Sequence, residues 1–261
     1  MEKSLQQNLF QAGHFAKGVI YGLLGFFAFA SLWDITSGSV GKKGVIQSIL
    51  EQPFGQAILV ILVIGLLAYT FWRWVDAYET NQEEDDVKKE WVLPIAYVFS
   101  GVTYLSLAVY AIHLIAQGSQ SSNGNGKQDL VATILQQSWG QIVIILLGVI
   151  IAGVAIYQLL KSNGGKFMEH INFGDATAKE RKTFRWMGKT GLIARAIVFF
   201  IIAYLLILAG IQSDPSEVVG TGGALQFMRS LSYGWILMSI TGLGLLFYGV
   251  FMVVKSRYGR A

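Results

Sequence analysis

The sequence contains no cysteine and few charged residues, and both shortages restrict what the protein can be. Without cysteine, disulfides, thiolate nucleophiles and cysteine-bound metals are excluded. Charged residues make up 14% of the chain and hydrophobic residues 53%, whereas about a quarter of the residues are charged in a typical soluble domain. The three histidines, His14, His113 and His170, lie in different segments and form no metal-binding pattern. This composition is typical of a protein whose solvent is lipid.

Long apolar segments are what the sequence has in abundance. Each of six is close to the roughly 20 residues that a membrane-spanning helix needs, and they cover residues 15–33, 54–75, 93–116, 139–160, 192–211 and 233–254. The first ends in Ala28-Phe29-Ala30, which resembles a signal-peptidase site. Because this helix recurs later in the chain, we expect it to stay in the membrane. The loops are too short for a separate soluble domain, so residues 1–261 are predicted to form one membrane domain.

The apolar segments repeat as a two-helix unit. A shift of 83 residues aligns Lys17 with Ser100, and a shift of 178 aligns it with Arg195. The second helix of each unit begins with an aromatic residue followed by glycine, at 54–55, 139–140 and 233–234. The pattern predicts three tandem units, at approximately 9–80, 92–165 and 184–260.

The even number of helices in each unit determines how the repeats are oriented in the membrane. Each unit enters and leaves the membrane on the same side, so the repeats are parallel. We therefore predict an all-α integral membrane protein whose six transmembrane helices surround a pseudo-threefold axis. Inverted repeats serve many secondary transporters, but parallel repeats also occur among them. The symmetry neither requires nor excludes transport.

Two segments carry a resemblance to a known family. The stretches ERKTFRWMGKTGLIARAIVFF and GGALQFMRSLSYGWILMSITGLGLLFYGVFMVVKSRYGR resemble the repeat of the bacterial domain-of-unknown-function family 1206 (DUF1206). The resemblance covers residues 9–260 and implies three tandem two-helix units, without an established activity. The middle unit departs from the pattern, because Ala96 replaces the glycine found at Gly13 and Gly191, and Ser100 replaces the cation.

Basic residues are divided unevenly between the two ends of the predicted helices. Of the 20 Lys and Arg residues, 16 fall on one side, and the other side holds Lys42, Lys43, Lys127 and Arg229. Because cytoplasmic loops retain Lys and Arg, both termini are predicted to be cytoplasmic, in the bacterial inner membrane. No nucleic-acid partner is expected, since the basic segments are short and lie next to the membrane.

A short amphipathic stretch in each outer loop precedes the aromatic–glycine pair. Two arrangements are open for these stretches. In the simpler one they cap the bundle at the lipid interface, with Ile46, Ile49 and Leu50 at the headgroup level. In the other they dip inward around the axis and form an outer vestibule.

Five polar residues are candidates for a lipid or solute site. Lys17 and Arg195 lie about one turn inside the first and fifth helices, and Ser100 takes the equivalent place in the third. Arg73 and Asp76, three residues apart, share one face of the second helix. Anchoring at the headgroups is the simpler interpretation, because long cationic side chains near helix ends reach the interface. The alternative is that these residues face the bundle and bind an anionic headgroup or solute.

Glycines and tryptophans are predicted to have structural roles. Gly18 and Gly22 have the small-xxx-small spacing that permits close helix approach. The full set of predicted packing glycines is Gly18, Gly22, Gly101, Gly55, Gly140 and Gly234. The tryptophans at 72, 74, 91, 139, 186 and 235 lie near predicted helix ends, which is typical of interfacial anchors.

No catalytic triad, pair of buried carboxylates or phosphate-binding loop is recognisable in the sequence. We therefore predict a non-enzymatic membrane protein without cofactor or metal, which binds or organises membrane lipids or partner helices. The alternative is a channel or carrier for a small solute or ion. Convergence of Lys17, Ser100 and Arg195 around a hydrated cavity would favour solute binding, and an orientation toward lipid would favour anchoring.

Overall fold

The computed structural model describes residues 3–33, 41–83, 87–117, 126–137, 139–168, 171 and 177–259, and these are almost entirely helical. No β-strand lies within these ranges, where one isolated bridge joins Ile171 to Gly259. The all-α fold class is therefore confirmed. The long helices are α1 (Lys3–Ala30), α3 (Gly55–Glu83), α4 (Val87–Gln117), α6 (Gly140–Gly164), α7 (Ala178–Gln212) and α9 (Gly234–Tyr258). The short helices are α2 (Lys42–Leu50), α5 (Gly126–Leu135) and α8 (Thr221–Ser230), with 3-10 turns at Ser31–Trp33, Lys166–Met168 and Pro215–Glu217.

All six long helices contain a segment that is long and apolar enough to cross a membrane. The helices also extend beyond the apolar segments at the end where both termini lie. There, Gln7 Nε2 donates a hydrogen bond to the carbonyl oxygen of Gly259 at 2.8 Å, and we call this end the inner side. On the same side, α7 begins with a capping box, because Thr177 accepts from the Glu180 N–H and the Glu180 carboxylate accepts from the Thr177 N–H.

The long helices pack as an incomplete ring around the pseudo-threefold axis. The second helix of each unit packs against the first helix of the next, so α3 lies beside α4, α6 beside α7, and α9 beside α1. Within the first and third units, α1 also packs on α3 and α7 on α9. The two helices of the middle unit, α4 and α6, make no comparable contact in the described part of the chain. The ring is therefore open on one side, between α4 and α6.

Small residues explain why two units are closed and one is open. Gly65 on α3 faces Ala16 on α1, and a Cβ added to the glycine would lie 2.6 Å from the alanine Cβ. The equivalent pair in the third unit, Gly244 and Ala194, has the same spacing. In the middle unit the aligned positions hold Ile150 and Phe99, which are each 62% exposed. These bulky side chains prevent the close crossing that glycine and alanine permit.

The predicted glycine pair of α1 does pack a helix, although its two members contribute differently. A Cβ on Gly18 would lie 2.9 Å from the carbonyl oxygen of Gly249 on α9. A Cβ on Gly22 would meet open space, but the backbone of Gly22 lies directly against Gly249, whose added Cβ would be 2.5 Å from the Gly22 Cα. Gly101 faces a side chain instead, since its Cβ would lie 2.8 Å from Cδ1 of Trp74.

The other three predicted packing glycines have a more local role. Added Cβ atoms on Gly55, Gly140 and Gly234 would each come closer than 3.0 Å to a carbonyl oxygen, namely that of Ile49, Ile134 or Met228. Each contact joins the end of a short helix to the start of the following long one. The three glycines therefore permit the same tight turn in all three units rather than contact between long helices.

The short helices α2 and α8 lie inside the bundle. Val45 and Ile46 of α2 and Leu225 and Met228 of α8 are fully buried, and α2 packs on α1, α3, α4 and α8. The first turns of the two helices meet, because a Cβ on Gly41 would lie 2.9 Å from the Cα of Gly222. The apolar residues of α2 and α8 thus pack inward against the long helices, and we call these two helices re-entrant.

Candidate functional site

Two of the five predicted site residues converge at the centre of the ring. Lys17 on α1 is 6% exposed, and its Nζ donates a hydrogen bond to the Tyr69 hydroxyl on α3 at 2.9 Å. Arg195 on α7 is half-buried, and its guanidinium donates to the Tyr248 hydroxyl on α9. Tyr69 and Tyr248 align under the repeat, as Lys17 and Arg195 do. The first and third units therefore build the same cation–phenol pair.

Aromatic rings join these two pairs into one cluster. Lys17 Nζ lies 4.9 Å from the ring centroid of Tyr69, 5.7 Å from that of Tyr104 and 5.8 Å from that of Tyr248. The Arg195 guanidinium carbon lies 4.8 Å from the Tyr248 centroid and 5.2 Å from that of Tyr21. Cation–π contacts are worth about 0.5–1 kcal/mol at exposed sites and about 2 kcal/mol when desolvated. The rings thus stabilise the buried Lys17 more strongly than the half-buried Arg195.

Arg73 adds a third cation through a shared partner. Its Nε donates to the same Tyr69 hydroxyl at 3.0 Å, and its Nη1 pairs with the Asp76 carboxylate at 3.1 Å. Its guanidinium carbon also lies 4.8 Å from the centroid of Tyr97 on α4. The pairing of Arg73 with Asp76 that their spacing predicts is therefore present, and it connects to Lys17 through Tyr69. We call Lys17, Arg73 and Arg195, with Tyr21, Tyr69, Tyr104 and Tyr248, the basic cluster.

Positive charge exceeds negative charge in the basic cluster. Among the described residues, Asp76 is the carboxylate that forms an ion pair with one of its three cations. Hydrogen-bonding capacity is also left over, because the buried Nε of Arg195 has no hydrogen-bond partner among the described groups. The site is therefore suited to hold an anion that both accepts hydrogen bonds and balances charge.

The middle unit contributes neither cation nor phenol at the equivalent positions. Ser100 stands at the place of Lys17, and Val154 at the place of Tyr69. The middle unit also lacks the glycine of the other two units, because Ala96 stands at the place of Gly13. A Cβ on Gly13 would lie 2.6 Å from the Tyr69 Cα, and a Cβ on Gly191 would lie 2.8 Å from the Tyr248 Cα. Glycine, cation and tyrosine thus form a set that two units keep and the middle unit has replaced throughout.

A buried aromatic group lies on the inner side of the basic cluster. The His14 ring lies 4.1 Å from the Phe10 centroid and 4.9 Å from that of Trp72, and its Nδ1 is 2.9 Å from the Phe10 carbonyl oxygen. Trp72, predicted to be an interfacial anchor, is buried and packs edge-on against both Phe10 and His14. His113 is exposed, and His170 lies outside the described residues.

Lys42 reaches the cluster although the sequence places it in an outer loop. It is the first residue of α2, and its Nζ lies 5.0 Å from the Tyr21 centroid and 5.3 Å from that of Tyr104. Close by, a small cavity of about 10 Å³ is lined by Tyr21, Arg195, Val198, Phe199, Thr221 and Leu245. This is room for about one water molecule.

Two features of the site are missed when the sequence is read alone. Tyr69 and Tyr248 could have been found, because the shift that aligns Trp72 with Phe251 also aligns these tyrosines three residues earlier. The position of Lys42 has no comparable signal. Hydropathy assigns it to a loop, and the re-entry of α2 becomes visible only in three dimensions.

The fold defines a multi-pass membrane protein made of three tandem two-helix repeats. The chain belongs to the family described as Domain of Unknown Function (DUF1206), which matches it three times, over residues 12–79, 95–163 and 190–259. The resemblance seen in the sequence is therefore confirmed. The chain is also similar to the uncharacterized protein YxxB of Bacillus subtilis (strain 168), with 29% identity over 250 residues that cover 94% of this chain and 88% of that protein. No solved structure matches the chain.

Proposed function

We propose that this membrane protein binds a phosphate-type oxyanion in the basic cluster, and that its role is binding rather than catalysis. The observation that carries the proposal is the convergence of buried Lys17 and half-buried Arg73 and Arg195 on shared tyrosines, with Asp76 paired to Arg73 in the described part of the chain.

Electrostatics favours an anion at this place. Removing a cation from water costs several kcal/mol even after relaxation, and a hydrogen-bonded counter-charge is the usual compensation. The Nζ of Lys17 and the Nε of Arg73 donate to one oxygen at 2.9 and 3.0 Å. They are thus at most about 6 Å apart, where like charges repel by about 3 kcal/mol at an effective dielectric of 20. A bound oxyanion would replace this repulsion by attraction.

Hydrogen-bond geometry favours an oxyanion over a halide. The Tyr69 hydroxyl accepts one hydrogen from Lys17 Nζ, and an ammonium carries three. The Nε of Arg195 remains unpartnered. Lys17 and Arg195 both approach the Tyr248 ring, at 5.8 and 4.8 Å from its centroid. A tetrahedral oxyanion offers several acceptor oxygens that can bridge two such donors with short charge-assisted bonds.

The phosphate group can come from a lipid headgroup or from free phosphate. The open side between α4 and α6 favours the lipid, because the bilayer reaches the bundle there. The proposed orientation agrees, with both termini cytoplasmic in the bacterial inner membrane and 16 of 20 basic residues on that side. Anionic lipids of the cytoplasmic leaflet attract cations near the surface by about 1 kcal/mol each. Membrane lipids are thus the proposed partners, and engagement of partner helices stays a prediction.

Native mass spectrometry of the purified protein tests the proposal without a prior choice of source. The protein is prepared in a phosphate-free maltoside detergent and given either inorganic phosphate or phosphatidylglycerol. The test variant carries Lys17→Met and Arg195→Met. A matched variant carries Lys182→Met and Arg185→Met, which remove two exposed cations from the inner start of α7.

We expect wild type and the matched variant to retain one phosphate-bearing mass, and the Lys17/Arg195 variant to lose it. Retention of phosphatidylglycerol alone assigns the site to a lipid headgroup, and retention of inorganic phosphate assigns it to the free anion. Equal retention by all three proteins, or no retained mass in wild type, overturns the proposal. A thermal unfolding curve for each variant establishes that the loss does not come from misfolding.

A further inference from the structure

The basic cluster has a second group of contacts, made from the outer side by Lys42. On α1, Lys17 lies four residues before Tyr21, which places it about 6 Å farther toward the inner side. Lys42 arrives from the outer loop, as the first residue of the re-entrant helix α2. Two tyrosines, Tyr21 on α1 and Tyr104 on α4, contact cations of both groups. We call Tyr21 and Tyr104 the tyrosine layer.

Distances show that the tyrosine layer touches cations from both groups. Tyr104 has Lys17 Nζ at 5.7 Å and Lys42 Nζ at 5.3 Å from its centroid. Tyr21 has the Arg195 guanidinium carbon at 5.2 Å and Lys42 Nζ at 5.0 Å. Lys42 is therefore at most about 11 Å from either inner cation, close enough for strong repulsion where water is excluded.

The re-entrant backbone brings further positive potential to the outer face of the layer. Gly41 and Gly220 are the N-cap residues of α2 and α8, and neither N-cap has a side-chain hydrogen bond. The first N–H groups of a helix carry partial positive charge. Thr221, the first residue of α8, lines the small cavity together with Tyr21 and Arg195. The partial charges of these N–H groups add to the positive potential of Lys42, and they do not define an anion site without it.

We infer that the basic cluster is one station on a route by which free oxyanions such as inorganic phosphate cross the membrane, with the tyrosine layer as its constriction. The inference rests on the proposed function, since Lys17 and Arg195 would hold the same anion on the inner side. Lys17 and Arg195 from the long helices and Lys42 from the outer connection converge on one pair of rings. A binding site served from a single side does not require this. The cavity at the layer holds about one water, so passage requires Tyr21 or Tyr104 to move.

Phosphate uptake into sealed proteoliposomes tests the inference. The vesicles are made of neutral lipid, with potassium and valinomycin to remove the opposing membrane potential, and radiolabelled inorganic phosphate is the probe. Lys42→Met is compared with Lys43→Met, a matched control because Lys43 is the adjacent cation and is exposed, with its Nζ 4.8 Å from the ring of Tyr110 and outside the cluster. Lys42→Met should lower uptake about tenfold or more, the size of a typical steering effect in a charged cleft, and Lys43→Met should not.

A second variant acts in the opposite direction. Tyr104→Ala removes one ring of the tyrosine layer and is expected to raise phosphate uptake above wild type. A gain of phosphate uptake by vesicles that remain impermeable to sucrose cannot come from a variant that fails to fold. Tyr110→Ala, on the same helix and outside the layer, serves as its control and should leave uptake unchanged.

The outcomes separate the inference from the proposed function. Retained phosphate binding without uptake above protein-free vesicles overturns the route and leaves the binding proposal intact. Absence of both phosphate binding and phosphate uptake in wild type overturns the route and the binding proposal together. Equal effects of Lys42→Met and Lys43→Met, or no gain with Tyr104→Ala, also overturn the route, because they remove Lys42 and the tyrosine layer from it.

Discussion

Replacing Lys17 by methionine separates a ligand-binding cation from a structural one. Methionine keeps most of the apolar stem of lysine and removes the charge. A buried cation that only stabilises the fold should cost much stability when it is lost. If the cation serves to bind an anion, its loss should cost little stability in the absence of the anion. The anion should then stabilise wild type but not the variant.

The distances of the basic cluster set the expected size of the effect without ligand. Lys17→Met removes the hydrogen bond to Tyr69 at 2.9 Å, which is worth about 1.5–3 kcal/mol for a charged donor. It also removes repulsion from Arg73, at most about 6 Å away and worth about 3 kcal/mol at an effective dielectric of 20. The substitution also removes the cation–π contacts of Lys17 with three rings, worth about 2 kcal/mol each at most, and it removes the several kcal/mol that a buried ammonium costs in desolvation. The losses and the gains are thus of similar size. We therefore expect the apparent Tm of Lys17→Met in phosphate-free detergent to stay within a few degrees of wild type.

The ligand-dependent effect is larger for wild type. An anion present at about 100 times its Kd stabilises the folded state by about 2.7 kcal/mol. Each kcal/mol moves Tm by about 2–4 °C in a protein of this size, so the wild-type Tm should rise by about 5–10 °C with the preferred phosphate source. Lys17→Met should lose most of this rise, whereas Lys182→Met should keep it. Scanning fluorimetry on the intrinsic tryptophans records all three curves.

Two results would refute this reasoning. A drop of Tm by tens of degrees for Lys17→Met without ligand would show that the cation is needed for the fold itself. An equal rise of Tm with phosphate in wild type and Lys17→Met would place anion binding elsewhere on the protein.

Three further predictions test other parts of the structure. Gly234→Ala should destabilise the protein by about 1–3 kcal/mol in thermal unfolding, because its Cβ would overlap the Met228 carbonyl oxygen. Gly153→Ala on α6, where a Cβ meets open space, should be neutral or slightly stabilising. Equal losses of stability in the two variants would contradict the turn geometry. Ser100→Ala should leave the phosphate-dependent rise of Tm unchanged, and a loss like that of Lys17→Met would show that the middle unit takes part in the site. Since the chain has no cysteine, an impermeant maleimide added to intact cells should label Ser232→Cys and spare Lys182→Cys, whereas the reverse pattern would invert the proposed orientation.

The fold was accessible to sequence reasoning because its main determinants are periodic and local. Lipid demands long apolar helices, and repetition marks their register, so the six spans and the parallel units follow from pattern alone. The opening between α4 and α6 does not follow so directly. It depends on Ile150 and Phe99 at positions where the other units carry small residues, and an apolar residue of any size satisfies a hydropathy pattern.

The site was only partly accessible because it is assembled from different units. Lys17 and Arg195 stand out as charges within apolar segments, so they can be named from the sequence. Their partners Tyr69 and Tyr248 look like ordinary interfacial aromatics until the second helices are aligned at the same register. Lys42 lies in an amphipathic stretch whose apolar residues suit an interface as well as a protein interior. Only the packing of α2 against four other helices distinguishes these environments.

The measurement closest to the central claim is the dipolar coupling between nitrogen-15 in the cluster and phosphorus-31 in the ligand, by solid-state NMR of the protein in a membrane. Protein labelled at lysine Nζ and arginine guanidinium nitrogens is loaded with phosphate or phosphatidylglycerol. We expect a lysine signal that couples to phosphorus and vanishes in Lys17→Met, together with a coupled arginine signal that vanishes in Arg195→Met. Couplings that persist in both variants, or no coupled lysine in wild type, would contradict a phosphate site at the basic cluster.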